Sequence, residues 1–379
     1  MSPRAALARG RRLVVKVGSG VLSNGGARLD APTLRRLARE LSALRAGGRE
    51  VLVVSSGAIL AGWEGLGLER RPTSTQLKQA AAAVGQSRLM RVWEAAFGRQ
   101  GLRCAQVLLT REDLHHRQRY LNARNTLLTL LRHGVVPIIN ENDTVAVEEI
   151  RFGDNDVLSA LVAGLCDASG LILLTDQDGL YSSDPRLDAG ARLEARVACA
   201  QSAALERSLK AAGSGPHGSG GMASKAAAAR MASSGGIPTV IANGLKPGTL
   251  ACLAAGEEVG TLFEPRAKPL DKRAQWLAYA AHPKGSILVD EGAREALARR
   301  SKSLLPSGVR GVAKVFEAGD VVSLVSGGQE FARGLSNYDS KELERVKGLK
   351  TSEIEAVLGY KPADEVVHRD NLALLGEAA

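Results

Sequence analysis

Residues 139–161 read INENDTVAVEEIRFGDNDVLSAL, and the fold follows from how that stretch begins and ends. The apolar run Val135-Val136-Pro137-Ile138-Ile139 that leads into it has the length and composition of a buried strand. It gives way to Asn140-Glu141-Asn142-Asp143, a row of amide and carboxylate side chains. A short alternating segment follows. Gly153-Asp154-Asn155-Asp156 then opens a second apolar run, with residues that favour a helix start. In a parallel α/β sheet, polar groups just past the carboxyl end of a strand face the ligand crevice. A strand mouth and a helix N-terminus with this many acceptors point to a small, zwitterionic, polar substrate. The plainer alternative is a turn followed by an ordinary N-cap.

The same grammar recurs on both sides of this stretch. Residues 13–17, LVVKV, form an apolar strand that ends in Gly18-Ser19-Gly20. Lys16 within it is costly to bury unless its ammonium reaches a partner, the alternative being a stem that snorkels to the surface. Residues 51–54 form a second strand, ending in Ser55-Ser56-Gly57-Ala58. Two Gly/Ser turns side by side would bring backbone N–H groups close to an anion. Further strands are expected at 104–109, 135–139, 171–174, 237–242 and 260–263. Helices are expected at 33–46, 73–99, 111–132, 201–212 and 249–255. The strand 171–174 runs into Thr175-Asp176-Gln177-Asp178-Gly179. Apolar strands alternating with helices imply an α/β fold whose mostly parallel sheet is covered on both faces.

Residues 213–225, GSGPHGSGGMASK, are glycine-rich. They match GxGxxG in form, but a helix precedes them and 235–243 contain no acidic residue, so a dinucleotide fingerprint is excluded. The Walker pattern is absent. What remains is Ser219-Gly220-Gly221-Met222-Ala223-Ser224-Lys225 entering a helix, whose first-turn N–H groups favour phosphate. Lys225 in that first turn opposes the helix dipole unless an anion lies nearby; the alternative is a solvated lysine in a linker.

Residues 264–275, EPRAKPLDKRAQ, are polar and carry two prolines, which marks a boundary. Beyond it, short segments at 286–289, 311–316, 321–325 and 330–334 with glycine-rich connections read as a small β-rich barrel, with short helices at 341–346 and 351–358. The expected division is 1–265, a linker 266–279, and 280–379.

The net charge of +10 is spread along the chain, and aromatic residues make up only 3%, which argues against base stacking and a nucleic-acid partner. No apolar run approaches the roughly 20 residues of a membrane span, and the basic start MSPRAALARGRR lacks the apolar core of a secretory signal. Cys104, Cys166, Cys199 and Cys252 are far apart, which suits a reducing cytoplasm and neither zinc nor disulfides.

Taken together, KVGSGVLS, VVSSGAI, KQAAAAVGQSRLM, NENDTVAVEEIRFGDNDVLSAL, LLTDQDGLYSSDPR and GSGGMASK resemble the glutamate 5-kinases of the amino-acid kinase family, in order from Lys16 to about Phe263. ILVDEGA, SLLPSGV and FARGLSNYDS look like the PUA domain appended to many bacterial members. The resemblance implies a three-layer αβα sandwich and the conversion of L-glutamate and ATP to L-glutamyl 5-phosphate and ADP, the first step of proline biosynthesis. It implies Lys16 and Lys225 as catalytic lysines organised by Asp156. It implies glutamate binding by Ser56, Asp143 and Asn155, and ATP binding by Lys16, Thr175, Asp176 and the run Ser219, Gly220, Gly221, Met222, Ala223, Ser224 and Lys225. Magnesium, a homo-oligomer (dimer or tetramer) and feedback inhibition by proline are implied likewise, with the next enzyme of the pathway, glutamyl phosphate reductase, as a candidate partner. Ser219 and Ser224 stand where the family favours threonine, each keeping a hydroxyl.

The chemistry suits such a residue set. A γ-carboxylate, with a reference pKa of about 4.3, is already ionised at neutral pH and needs no general base. The task is charge compensation: a carboxylate must approach a polyphosphate. Lys16 and Lys225 would meet over the transferred group, and Gly18, Gly20 and Gly57 would bring backbone donors close. Two other readings are compatible with the residues: a kinase for another acidic amino acid, and an RNA-binding factor acting through the PUA-like domain.

Overall fold

The computed structural model of the chain describes residues 2–146, 155–198, 221–267 and 269–375. They fall into two compact units, Met1–Pro269 and Leu270–Ala379.

The first unit runs α1 (Pro3–Arg9), β1 (Arg12–Val17), α2 (Ser19–Leu22), α3 (Ala31–Ala46), β2 (Glu50–Ser55), α4 (Ala58–Gly62), α5 (Thr75–Gly98) and β3 (Cys104–Leu109). It continues with α6 (Arg111–His115), α7 (Arg117–Arg132), β4 (Val136–Glu141), α8 (Asn155–Leu165), β5 (Gly170–Thr175), β6 (Arg196–Val197), α9 (Met222–Ser234), β7 (Thr239–Asn243), α10 (Thr249–Ala255) and β8 (Thr261–Phe263). The sheet order is β3-β4-β2-β1-β5-β7-β8-β6. All neighbouring pairs are parallel except β7 with β8. An antiparallel edge on a parallel sheet is common in α/β folds, and strand direction could not be read from apolar letters.

Alternation along the strands sorts side chains into two layers. Leu13, Val15 and Val17 of β1 and Val51 and Val53 of β2 join one core with Leu34, Leu37 and Leu41 of α3 and Trp93 and Phe97 of α5. α3 supplies its buried residues at helical spacing and is capped by Asp30, which accepts from Thr33 N at 2.9 Å. The opposite parity of β1, Val14 and Lys16, is also buried and faces the layer of α8 and α9, which pack on each other. The central strands are therefore covered on both faces, as their unbroken apolar runs require.

The register positions the site. Val17 of β1 lies opposite Ser55 of β2 and Leu174 of β5, and Thr175 lies opposite Asn243 of β7. Four strands thus end at one level, and the turns after them share one mouth.

Several sequence expectations shift. β4 extends through Asn140 and Glu141, because Glu141 still pairs with Leu109. The stretch 111–132 is two helices, broken where His116 adopts extended backbone. α1 was not expected; it is fixed by Arg4, whose guanidinium donates to the carbonyls of Val259 and Glu257 at 2.9 and 3.1 Å. The expected helix 201–212, Gly153, Asp154, Cys199, Ser219 and Gly220 lie outside the described residues. Among the described residues no helix is long and apolar enough to cross a membrane.

In the second unit, β9 (Gly285–Val289), α11 (Glu291–Arg300), β10 (Val309–Ala313), β11 (Val321–Ser326), β12 (Gln329–Leu335), α12 (Ser340–Val346) and β13 (Leu372–Leu374) build a five-stranded sheet of order β10-β9-β11-β12-β13. Ile287, Leu324, Phe331, Tyr338 and Leu343 are among its core residues. α11 escaped the sequence reading because only Leu297 of EGAREALARR is buried. Its start is capped by Asp290, which accepts from Ala293 N at 2.7 Å.

Candidate active site

Lys16 is the one polar residue of the apolar run Leu13–Val17 in β1, and alternation aims it at α8. Asp156 sits in the first turn of α8, fully buried, where the helix dipole favours a carboxylate. Its Oδ1 lies 2.6 Å from Lys16 Nζ, and its Oδ2 lies 3.3 Å from Lys225 Nζ. Lys225 comes from the first two turns of α9, 209 residues along the chain from Lys16. All three side chains are withdrawn from water, at 2%, 0% and 8% exposure for Lys16, Asp156 and Lys225. Two ammonium groups thus converge on one carboxylate out of water, and an anion brought beside them would meet two fixed cations.

Beside this triad lies a cluster of amides. Asn155, the first residue of α8, donates from Nδ2 to Ser56 Oγ at 3.1 Å and to Asn140 Oδ1 at 2.9 Å. Ser56 is the first residue past β2, and its N–H donates to Val17 O at 3.1 Å, tying that turn to β1. Gly57 then enters α4 with φ 105°, a left-handed conformation that glycine adopts without strain. Asp143 lies half-buried in the turn that follows β4. Gln79 of α5 braces that turn, donating to Ala146 O at 3.1 Å.

On the other side of β1, Thr175 and Asp176 close β5, with Thr175 Oγ1 donating to Asp176 Oδ1 at 3.0 Å. The Gly18–Gly20 turn fills the space between them and the triad. A Cβ at Gly18 would lie 3.6 Å from Lys16 Nζ, and one at Gly20 would lie 3.4 Å from Asp176 Oδ2. Asp178 accepts from Lys246 at 2.7 Å and Asn243 at 2.9 Å. Those bonds, that from Lys246 first, hold its carboxyl below the usual carboxylate range. Gly221 caps α9, and Met222, Ala223 and Ser224 form its first turn ahead of Lys225.

The structure thus brings Lys16, Asp156 and Lys225 into contact, and likewise Ser56 with Asn155 and Thr175 with Asp176. Asn140 and Gln86 join the amide cluster without having been singled out. Asn140 stood in the row of polar residues after 135–139, and Gln86 in the stretch KQAAAAVGQSRLM. A glutamine on an alanine-rich helix gives no sign, in sequence, of which strand it will face.

The profile of the amino acid kinase family matches residues 11–243, and that of the PUA domain matches residues 285–358. The chain is 52% identical over 367 residues to the glutamate 5-kinase of Pelobacter propionicus, which spans 96% of this chain and 98% of that protein. It is 51% identical over 371 residues to the glutamate 5-kinase of Geobacter sulfurreducens, across 97% of this chain and 99% of that one. The glutamate 5-kinase of Myxococcus xanthus is 51% identical over 373 residues, 98% of either chain. Among solved structures, the UMP kinase of Bacillus anthracis aligns with 68% of this chain and 97% of its own at 17% identity, with a TM-score of 0.47.

Proposed function

The chain belongs to the glutamate 5-kinases of the amino acid kinase family, and on that premise we propose how its clustered residues carry the reaction. The γ-phosphoryl group of ATP passes to the γ-carboxylate of L-glutamate, giving L-glutamyl 5-phosphate and ADP, the first step of proline biosynthesis. A carboxylate oxygen forms a bond to phosphorus as the bond from the β–γ bridging oxygen to γ-phosphorus breaks. The nucleophile is anionic before the reaction starts, so no proton has to be removed.

The observation that carries this reading is the buried pair of ammonium groups on one carboxylate. Phosphoryl transfer spreads negative charge over the oxygens of the moving group, and catalysis is positioning plus electrostatic stabilisation. Lys16 and Lys225 supply the cations, and Asp156 holds them charged and aimed. Asn155 and Ser56 hold a carboxylate of glutamate, and Asp143 takes its α-ammonium group. Thr175, Asp176 and residues 219–225 hold ATP, with Gly20 and Gly57 presenting backbone N–H groups to the phosphates; the Gly18 N–H, expected to join them, donates instead to Leu174 O at 3.3 Å, extending the pairing of β1 with β5.

Among the described residues no three His, Cys, Asp or Glu side chains gather as a metal site, and Asp156 and Asp178 are each engaged by lysine. That donor set fits a magnesium ion carried by the nucleotide phosphates, which would add charge neutralisation there.

The kinase domain spans 1–265 and the PUA-like domain 280–379, joined by 266–279; the profile matches and the division after Pro269 support this placement. Family membership supports a cytoplasmic homo-oligomer inhibited by proline. The reactivity of an acyl phosphate supports direct transfer to glutamyl phosphate reductase.

ADP release measured with L-glutamate, and hydroxylamine trapping of the acyl phosphate, test this reading. L-Aspartate, one methylene shorter, is expected to show kcat/KM lower by about 10-fold or more. Asn155→Ala is expected to raise KM for glutamate by about 10-fold and leave KM for ATP unchanged. Equal turnover of both amino acids, or an Asn155→Ala effect on ATP alone, would contradict it.

A further inference from the structure

We propose that Gln86 is a positioning residue for the glutamate pocket, acting through Asn140 on Asn155; this rests on the reading that Asn155 and Ser56 hold glutamate. The backbone N–H of Glu141 donates to Asn140 Oδ1 at 2.9 Å and to Asn155 Oδ1 at 3.3 Å. A backbone N–H can only donate, so it fixes both amide oxygens as acceptors and settles which way each amide points. Asn155 Nδ2 is thereby directed at Ser56 Oγ, and Asn140 Nδ2 is directed at Gln86 Oε1, 2.9 Å away. Gln86 then donates from Nε2 to Oε1 of Gln106, the exposed residue of β3, at 3.0 Å. Four amides run in one direction, each donating outward to the next.

Asn140 is only 2% exposed, so water is a poor substitute for the acceptor that Gln86 offers. Gln86 is itself held in place by its neighbour. A Cβ at Gly85 would lie 1.8 Å from Ala58 O, and one at Gly62 would lie 1.9 Å from Ala81 O, so α5 and α4 touch backbone to backbone. α4 begins directly after the Ser56-Gly57 turn. Gln79, seven residues before Gln86 and on the same helix face, braces the turn that contains Asp143. One face of α5 therefore supports both halves of the pocket.

The relay needs an acceptor at position 86, which separates two charged substitutions. Gln86→Glu keeps an acceptor for Asn140 Nδ2, whereas Gln86→Lys offers only donors. Gln86→Lys is expected to raise KM for glutamate by about 10-fold or more, and Gln86→Glu by no more than about threefold, with KM for ATP unchanged in both. A role through charge alone gives the reverse order, because a carboxylate there repels anionic glutamate and an ammonium attracts it. Gln86→Met, uncharged and without an acceptor, is expected to follow Gln86→Lys and carries the test should the lysine variant not fold. Asn155→Ala is measured alongside. If Asn155→Ala leaves KM for glutamate unchanged, the pocket assignment falls and the relay with it. If Asn155→Ala raises it while the lysine and methionine variants do not, or Gln86→Glu is as impaired as they are, the relay alone is overturned.

Discussion

Asp156→Ala is expected to lower kcat by about 10²-fold or more and also to destabilise the fold. The wild-type carboxylate stands fully buried between two ammonium groups, 2.6 Å from one and 3.3 Å from the other. Removing one partner from a buried ionic cluster leaves uncompensated charge, at a cost of about 3–5 kcal/mol. For a unit of this size that corresponds to a melting temperature lower by roughly 10 °C. Asp156→Asn keeps the shape and one acceptor oxygen, so its stability should fall between the two. Activity is lost in both variants, because the lysines are no longer drawn together. Thermal melts followed by circular dichroism, with kcat measured on the same samples, check this. A variant that melts like the wild type would show that the two lysines do not depend on Asp156 for their placement.

Lys16→Met and Lys225→Met are each expected to lower kcat by about 10²–10³-fold with little change in KM for glutamate. Methionine retains most of the buried stem and removes only the charge. The selectivity for kcat follows from the reaction: negative charge accumulates on the transferred phosphoryl group as the bonds change, so its stabilisation is felt mainly in the transition state. The groups proposed to hold glutamate, Ser56 and Asn155, bond to each other and are left in place by these substitutions. Steady-state kinetics with each substrate varied distinguish the outcomes. A large rise in KM with unchanged kcat would instead make the lysines ground-state binding groups.

Much of this arrangement was legible in the chain because the decisive residues break a local rule. Lys16 interrupts an apolar strand, Lys225 opposes a helix dipole, and Asp156 opens an otherwise apolar helix. Each anomaly asks for a partner, and the structure shows that the partners are one another. The strand ends were readable for a similar reason, since apolar runs stop where turns of Gly, Ser, Asn and Asp begin. What remained hidden was long-range and obeyed local rules. Gln86 and Gln79 look like ordinary surface glutamines on α5, and only the Gly62–Gly85 contact decides that they face β4 and its turn. The reversed direction of β8 and the two-residue strand β6 depend on edge pairing rather than on composition. α11 is nearly all polar or alanine, so its single buried leucine left no periodicity to detect.

The claim that two distant cations act as one unit on the transferred phosphoryl group is tested most directly by the double variant Lys16→Met/Lys225→Met, compared with its two single variants in kcat. Groups that stabilise the same charge together are expected to be non-additive, so the double variant should lose little more than the worse single one, about 10²–10³-fold. A double variant whose loss equals the product of the two single losses would mean that Lys16 and Lys225 act independently, and would contradict the account.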